Sequence, residues 1–339
     1  VDLSNKIKPG PLSSTQPESL DQIKADIALK QKEFPLAPEL VSPDGYINTG
    51  GQPITLASLR GKVVLLDIWT YSCINCQRTL PYVEAWYSKY KDQGFVVIGI
   101  HTPEFGFEKV LQNVQDAVKR LGITYPVILD SEYKTWNAYG NNVWPRKFLV
   151  DIDGFVVYDH SGEGNYDETE KAIQKALLER SKRLGGNMQT GAVTLSPKGE
   201  IPVDFSQIGS PETYFGSARN EFLANGKRGV SGVQNLTLPA NFDSNALYLG
   251  GTWDFKDEFA ENAGGGEIAF KYKSKNVYMV ASSLAGSDME VWQDGKLLNT
   301  VHIKENRLYT LIEGKDYTEH TLLLKIKSPG IDAFTFTFG

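Results

Sequence analysis

The sequence predicts two unlike parts, an α/β layer sandwich followed by an all-β jelly-roll (β-sandwich) domain. Three observations carry this. From about Phe34 to Gly186, apolar strand-like runs alternate with helical periodicity. After Gly186 that periodicity vanishes, and short strand-like runs separated by turn residues recur to the C-terminus. The length of 339 residues, at roughly 100–200 residues per domain, suits two domains.

Taken in order, residues 1–33 are expected to form an N-terminal linker and a short helix. Pro9, Pro11 and Pro17 favour a linker. Leu20, Ile23 and Ile27 then space an amphipathic helix over Ser19–Glu33, an arm or a tether. Residues 34–186 form the α/β domain. Lys62–Trp69 is a continuous Val/Leu-rich run, as in a strand buried on both faces. A helix follows from about Asn75 to Tyr90, with Leu80, Val83, Tyr87 and Tyr90 along one side. Phe95–Ile100 is a second buried strand, and Phe107, Val110, Leu111, Val114, Val118 and Leu121 mark a second helix. Pro126–Leu129 is a short strand, and Lys147–Asp151 and Phe155–Tyr158 flank a hairpin turn at Ile152-Asp153-Gly154. The last helix, Asp167–Leu184, has acids in its first turn, bases in its last and Gly185 beyond its end.

The Gly-, Ser- and Pro-rich stretch from Gly185 to Pro211 marks a boundary, and residues 196–339 are expected to form the β-domain. Its strand-like runs begin at Leu247 and end at Phe338, with Asp294-Gly295 a hairpin signal between two of them. No apolar run approaches the 18 residues that span a bilayer. The 35 basic residues against 41 acidic ones, a net charge of −6, argue against nucleic acid as a partner. The first residue is Val1, so the expectation is a processed chain or a fragment, any upstream targeting or membrane segment having been removed.

The 2 cysteines are Cys73 and Cys76, too close to staple distant elements and therefore present for chemistry. They fall just after a buried strand and at the opening turn of a helix, where unpaired N–H groups and the helix dipole favour negative charge. Cys73 is then the nucleophile. Cys76, one turn further in, can attack a mixed disulfide formed at Cys73 and is the resolving thiol. No second cysteine pair exists, and His101, His160, His302 and His320 lack zinc-site spacing, so no metal is expected. An otherwise cysteine-free chain is compatible with an oxidising compartment.

The run Leu66-Asp67-Ile68-Trp69-Thr70-Tyr71-Ser72-Cys73-Ile74-Asn75-Cys76, followed by Pro81, resembles the thioredoxin superfamily. Phe95–Tyr125 is similar to the extra strand-helix unit of its extracytoplasmic branch. Tyr71–Arg78, His101–Glu104, Pro211–Tyr214 and Phe334–Gly339 resemble the soluble C-terminal region of DipZ-type thiol:disulfide interchange proteins. The resemblance implies a thioredoxin-like domain and a carbohydrate-binding-like domain, and no cofactor beyond a redox-active Cys73–Cys76 disulfide. It places Asp67 as the buried acid that exchanges protons with Cys76, for which burial would raise the pKa. Because no lysine lies in Phe95–Ile100, the usual partner of that acid is expected to be absent, with His101 as a substitute. Pro145 matches the cis-proline facing the disulfide, which frees the peptide groups of Trp144 for an extended substrate. Trp144, Tyr71 and Glu104 are the expected substrate-side residues.

The resemblance further implies a bacterial periplasmic or cell-surface location, membrane tethering in the full-length protein, and a transmembrane electron donor. The implied substrates are disulfide-containing exported proteins, with cell-wall glycan a further partner. Ile74-Asn75 is neither of the dipeptides of reducing or oxidising relatives, Ser72 replaces a tryptophan, and Thr79 stands where a glutamate is common. Two alternatives stay open. Thr70-x-x-Cys73 echoes a thiol-dependent peroxidase, although Leu66 occupies the place of that pattern's proline. Tyr248, Trp253, Tyr278, Trp292 and Tyr309 would instead serve a glycan-binding protein with an accessory redox domain, if they are not packing residues.

Overall fold

The computed structural model describes residues 19–185, 188, 191–194 and 196–339. The linker expected over residues 1–18 lies outside them. Helix α1 (Leu20–Glu33) begins at Ser19, whose side chain accepts from the Gln22 N–H. None of its residues is fully buried: Leu20 is 75% exposed, and Ile23 and Ile27 of the expected apolar face are half-buried. Lys30 helps to anchor the helix, its ammonium bonded to Asp151, Asp153 and Glu179. These carboxylates are the group among the described residues whose ligand atoms converge closely enough for a metal ion, and the lysine already fills their centre.

The α/β part is built from β1 (Gly45–Ile47), β2 (Val63–Trp69), α2 (Ile74–Tyr90), β3 (Phe95–His101), α3 (Leu111–Arg120), β4 (Val127–Leu129), α4 (Lys134–Ala138), β5 (Arg146–Val150), β6 (Val156–Ser161) and α5 (Tyr166–Leu184). Its sheet runs β1-β4-β3-β2-β5-β6, with β2, β3 and β4 parallel and β1, β5 and β6 antiparallel to their neighbours. Every residue of β2 is buried. Val63, Leu65 and Trp69 pack in one core with Val83 and Trp86 of α2, Val114 of α3 and Ile173 of α5. Val64, Leu66 and Ile68 pack on the opposite face with Leu40, Leu56 and Trp136. Alternation along the strand therefore turns Asp67 toward the α2 side.

The remaining strands are β7 (Thr213–Tyr214), β8 (Gly232–Leu236), β9 (Leu247–Phe255), β10 (Ala260–Lys273), β11 (Asn276–Ser282), β12 (Ser287–Gln293), β13 (Lys296–Ile303), β14 (Arg307–Glu313), β15 (Glu319–Ile326) and β16 (Asp332–Phe338). They form one antiparallel sheet, β13-β12-β15-β10-β16-β11-β14, with β7 on β16, β9 on β10 and β8 on β9. The sheet wraps a core that includes Trp253, Phe255, Phe270, Tyr272, Phe336 and Phe338, consistent with a β-sandwich. The Asp294-Gly295 hairpin joins β12 to β13, both residues at positive φ (49° and 78°). Among the described residues, no helix is long and apolar enough to cross a membrane.

The two parts share a fourth buried cluster. Ile74 and Phe105 from the α/β part meet Tyr278, Val280, Leu308 and Phe334 from the β-part. The Phe334 ring lies 5.1 Å from Phe105 and 4.9 Å from Phe107, edge-on to both. The Gly106 N–H donates to the Glu258 carboxylate at 2.9 Å. Ile74, between the two cysteines, is thus a docking residue for the β-part, which gives the Ile74-Asn75 dipeptide a structural reason.

Candidate functional site

Strand β2 ends at Trp69, residues 70–72 cross the sheet edge, and Cys73 is the N-cap of α2. Its Sγ accepts the Cys76 N–H at 3.3 Å, so the sulfur takes the place that a serine or aspartate oxygen takes at other helix starts. The two thiols are unbridged; Cys73 is partly exposed and Cys76 is buried. The preceding loop is held by Glu108, a fully buried carboxylate that no motif had singled out. Its Oε1 accepts from the Ser72 N–H (3.1 Å) and hydroxyl (2.7 Å), and its Oε2 from the N–H groups of Glu104 (2.7 Å) and Phe105 (3.0 Å). Burial pushes the Glu108 pKa up, and the Thr70 and Ser72 hydroxyls pull it back.

Asp67 is 1% exposed, and neither of its oxygens has a hydrogen-bond partner among the described residues. Burial pushes its pKa up to about 6, opposed by the charge of Lys147. The expectation that this acid lacks a lysine is corrected by the strand order. The lysine comes from β5, where Lys147 sits directly opposite Asp67 in register and is fully buried. Burial lowers the Lys147 pKa, and the charges of Asp67, Cys76 and Glu163 raise it in part. His101 does not substitute. It is sandwiched by Tyr71 and Trp69, and burial pushes its pKa down to about 3, which leaves it neutral. The Cys76 thiol is pushed well up, first by burial, then by its neighbour Cys73 and by Asp67.

The Trp144–Pro145 peptide bond is cis. Trp144 is half-buried, donates from Nε1 to the Thr102 carbonyl at 3.0 Å, and lines the cleft above Cys73. Glu104 also lines that cleft. It is paired with Arg219 at 2.8 Å and accepts the Tyr214 hydroxyl at 2.8 Å, so it is tied to the β-part instead of being solvated. Tyr71 departs from the expectation of a substrate-side residue: it is 1% exposed, packed between His101 and Phe107 in the core. Its place in the motif is a packing place. Thr70 is buried, with its hydroxyl 3.4 Å from His101 Nε2.

The cleft is about 520 Å³, and the β-part supplies much of its wall: Phe205, Ile208, Glu212, Tyr214, Arg219 and Thr337. Arg78 of α2 joins it, bonded through Nε and Nη2 to Glu163 (2.8 and 2.7 Å) and through Nη2 to Asn75 (2.7 Å). Of the five aromatics considered for sugar stacking, Tyr248, Trp253, Tyr278 and Tyr309 are buried, which leaves Trp292, half-buried beneath the Lys325 ammonium. The signal that could have found Lys147 was a lone lysine within the buried Arg146–Val150 strand. For Glu108 the sequence carried none, whereas Glu212, Tyr214 and Thr337 of the β-part wall lie in the Pro211–Tyr214 and Phe334–Gly339 stretches that carried the resemblance.

Residues 34–177 match the family model described as Redoxin, and residues 210–339 match the Thioredoxin like C-terminal domain. The chain is 36% identical over 319 residues to Protein DipZ of Mycobacterium bovis, covering 93% of this chain and 44% of that protein. It therefore spans less than half the length of that curated relative. Thiol-disulfide oxidoreductase ResA of Bacillus thuringiensis is 33% identical over 125 residues, 37% of this chain and 69% of ResA. The crystal structure of a thioredoxin-family thiol:disulfide interchange protein from Chlorobium tepidum superposes with a TM-score of 0.36 and 26% identity, covering 42% of this chain and 97% of that one.

Proposed function

The chain belongs to the thioredoxin superfamily, in its DipZ-type branch, and on that premise we propose that it is an extracytoplasmic thiol:disulfide oxidoreductase working through Cys73 and Cys76. The observation that carries this is the division of labour between the two sulfurs. Cys73 Sγ is reachable at the helix N-cap and faces N–H groups; Cys76 is buried beside a carboxyl whose pKa is raised into the physiological range.

In the reducing direction, Cys73 as thiolate attacks one sulfur of a substrate disulfide. A mixed disulfide forms and the substrate's other sulfur leaves, taking up a proton. The Asp67 carboxylate then accepts the Cys76 proton, and the Cys76 sulfur attacks Cys73 Sγ. The second substrate thiol departs, the substrate has gained two electrons and two protons, and Cys73 and Cys76 are joined. Lys147 keeps Asp67 ionised often enough to act as the base, and Pro145 with Trp144 borders the site where the substrate chain lies. A transmembrane donor would return the two electrons, and disulfides of exported proteins would be the substrates. The sequence resemblance and the lack of further thiols support both.

The peroxidase alternative has less support, because Thr70 is turned into the core against His101. A cell-wall glycan partner likewise has little, four of the five candidate aromatics being buried. The division into a thioredoxin-like domain over 34–186 and a β-domain over 196–339 is proposed on the two separate sheets. The test is covalent trapping. Cys76→Ser is expected to accumulate mixed disulfides through Cys73 that run as reducible adducts on gels, and Cys73→Ser almost none. Equal trapping by both would overturn the roles.

A further inference from the structure

The oxidoreductase reading leaves open which disulfides the chain prefers. The charges around Cys73 narrow the choice, and a preference drawn from them rests on that reading. The cleft of about 520 Å³ over Cys73 holds two cations, Arg78 and Arg219, and two acids, Glu104 and Glu212. Both cations are already matched. Arg78 Nη2 is bonded to Glu163 at 2.7 Å, with both side chains almost out of solvent. Arg219 Nη1 is bonded to Glu104 Oε1 at 2.8 Å, and the Tyr214 hydroxyl donates to the same oxygen. The surplus charge is therefore that of Glu212, since Arg219, the cation that attracts it, is the one bonded to Glu104.

The strand explains why Glu212 faces the cleft. Thr213 of β7 is fully buried, and the residues on either side of it, Glu212 and Tyr214, alternate to the other face and both line the cleft. Glu212 as a residue is exposed, so an incoming molecule can reach it. Crowding of its carboxyl by the cleft walls, then the charge of Glu104, push its pKa up to about 7, while the Tyr214 hydroxyl and Arg219 pull it back. The groups that face it are thus Glu104 of the loop after β3, Tyr214 of β7 and Arg219 beyond β7, with Arg78 of α2 and the Cys73 sulfur in the same cleft. Above neutrality the cleft carries an unmatched negative charge; below neutrality that charge is lost.

We infer that Glu212 makes the cleft selective for disulfides that carry positive charge beside their sulfurs, in a protein substrate a cystine flanked by lysine or arginine, and turns away anionic disulfides. A cation entering the cleft supplies the pairing that Glu212 lacks, between protein walls where charges are screened less than on an open surface. An anion meets repulsion, because both guanidinium groups are already paired. Glu212 meets the substrate and not the reacting sulfurs, and so determines specificity.

The experiment follows oxidation of the dithiol-reduced chain, and of its Glu212→Gln and Glu212→Asp variants, by three small disulfides: dicationic cystamine, neutral hydroxyethyl disulfide and anionic oxidised glutathione. Free thiols are counted by alkylation in low-salt buffer at pH 8 and pH 6, and each second-order rate constant is divided by that for hydroxyethyl disulfide at the same pH. A change in the reactivity of Cys73 itself scales all three rates alike and cancels in the ratio. At pH 8, Glu212→Gln is expected to lower the cystamine ratio about fivefold and to raise the glutathione ratio, while Glu212→Asp stays within about twofold of the wild type. At pH 6, where Glu212 is mostly protonated, Glu212→Gln and the wild type should agree within about twofold. Ratios that Glu212→Gln leaves unchanged at pH 8, or shifts equally at both pH values, would overturn the inference and leave the oxidoreductase reading intact. A wild-type chain whose thiols none of the three disulfides oxidises would overturn that reading, and the inference with it.

Discussion

Replacing Lys147 with methionine tests the proton relay proposed beneath the cysteines. Lys147 and Asp67 face each other across β5 and β2, both fully buried, and the lysine charge is what opposes the rise of the Asp67 pKa. Methionine has similar length and volume and carries no charge. Two unit charges roughly 6 Å apart at an effective dielectric of about 20 attract by about 3 kcal/mol, or about two pH units. Relaxation around the pair makes one to two units the working range. With its pKa at about 6, Asp67 is mostly ionised at pH 7 and can accept the Cys76 proton. Raised by one to two units, the ionised fraction at pH 7 falls about twofold to tenfold, and the resolving step slows in proportion. The loss should vanish by about pH 9, where the carboxyl is ionised in both proteins. The assay is the rate at which a preformed mixed disulfide at Cys73 is resolved, followed by release of a chromophoric thiol from pH 5 to pH 9. The midpoint of the variant's profile should move upward. A midpoint that stays in place while the fold is intact by circular dichroism would refute the assignment of Lys147 as the partner of Asp67.

The other expectations concern stability. The Asp67 pKa is raised in the folded state, from 3.8 to about 6, so its contribution to stability is fully present below about pH 4 and is lost as pH rises through about 6. Asp67→Asn should therefore gain on the wild type by roughly 3 kcal/mol between pH 4 and pH 7.5 in urea unfolding, and parallel curves for the two proteins would contradict this. Glu108→Gln turns an NH2 group toward one pair of the four donors now met by the carboxylate, and should cost about 1–3 kcal/mol per donor left unmatched. The same variant should resolve mixed disulfides more slowly, since the loop carrying Ser72 into Cys73 loses its tether. A melting temperature equal to the wild type's would show that the four contacts do not hold that loop.

Much of the site was legible because it is local. The buried run of β2, the helix start at Cys73 and the two-residue spacing to Cys76 all lie within a stretch shorter than one strand-helix unit, where periodicity and capping act directly. Asp67 was expected from the thioredoxin resemblance, and its burial follows from its place on a strand every residue of which is buried. Tyr71 misled because a residue beside a motif need not face the substrate; strand exit geometry turned its ring into the core against His101. The helix over Leu20–Glu33 formed as its spacing implied, yet its apolar face is at most half-buried, and an ion cluster at Lys30 helps to dock it.

By itself, the sequence determined the longer strands and helices, though not the short β1, α4, β7 and β8, and where the two thiols stand relative to a helix start, because those depend on residues within a turn or two of one another. Only the tertiary structure decided that β5 lies beside β2, and so that Lys147 faces Asp67. Only it brought Glu108 under the cysteine loop and set Thr337, Tyr214 and Arg219 over Cys73. Those pairings are chosen by how whole sheets bury their faces together, a competition among distant surfaces that no local spacing records.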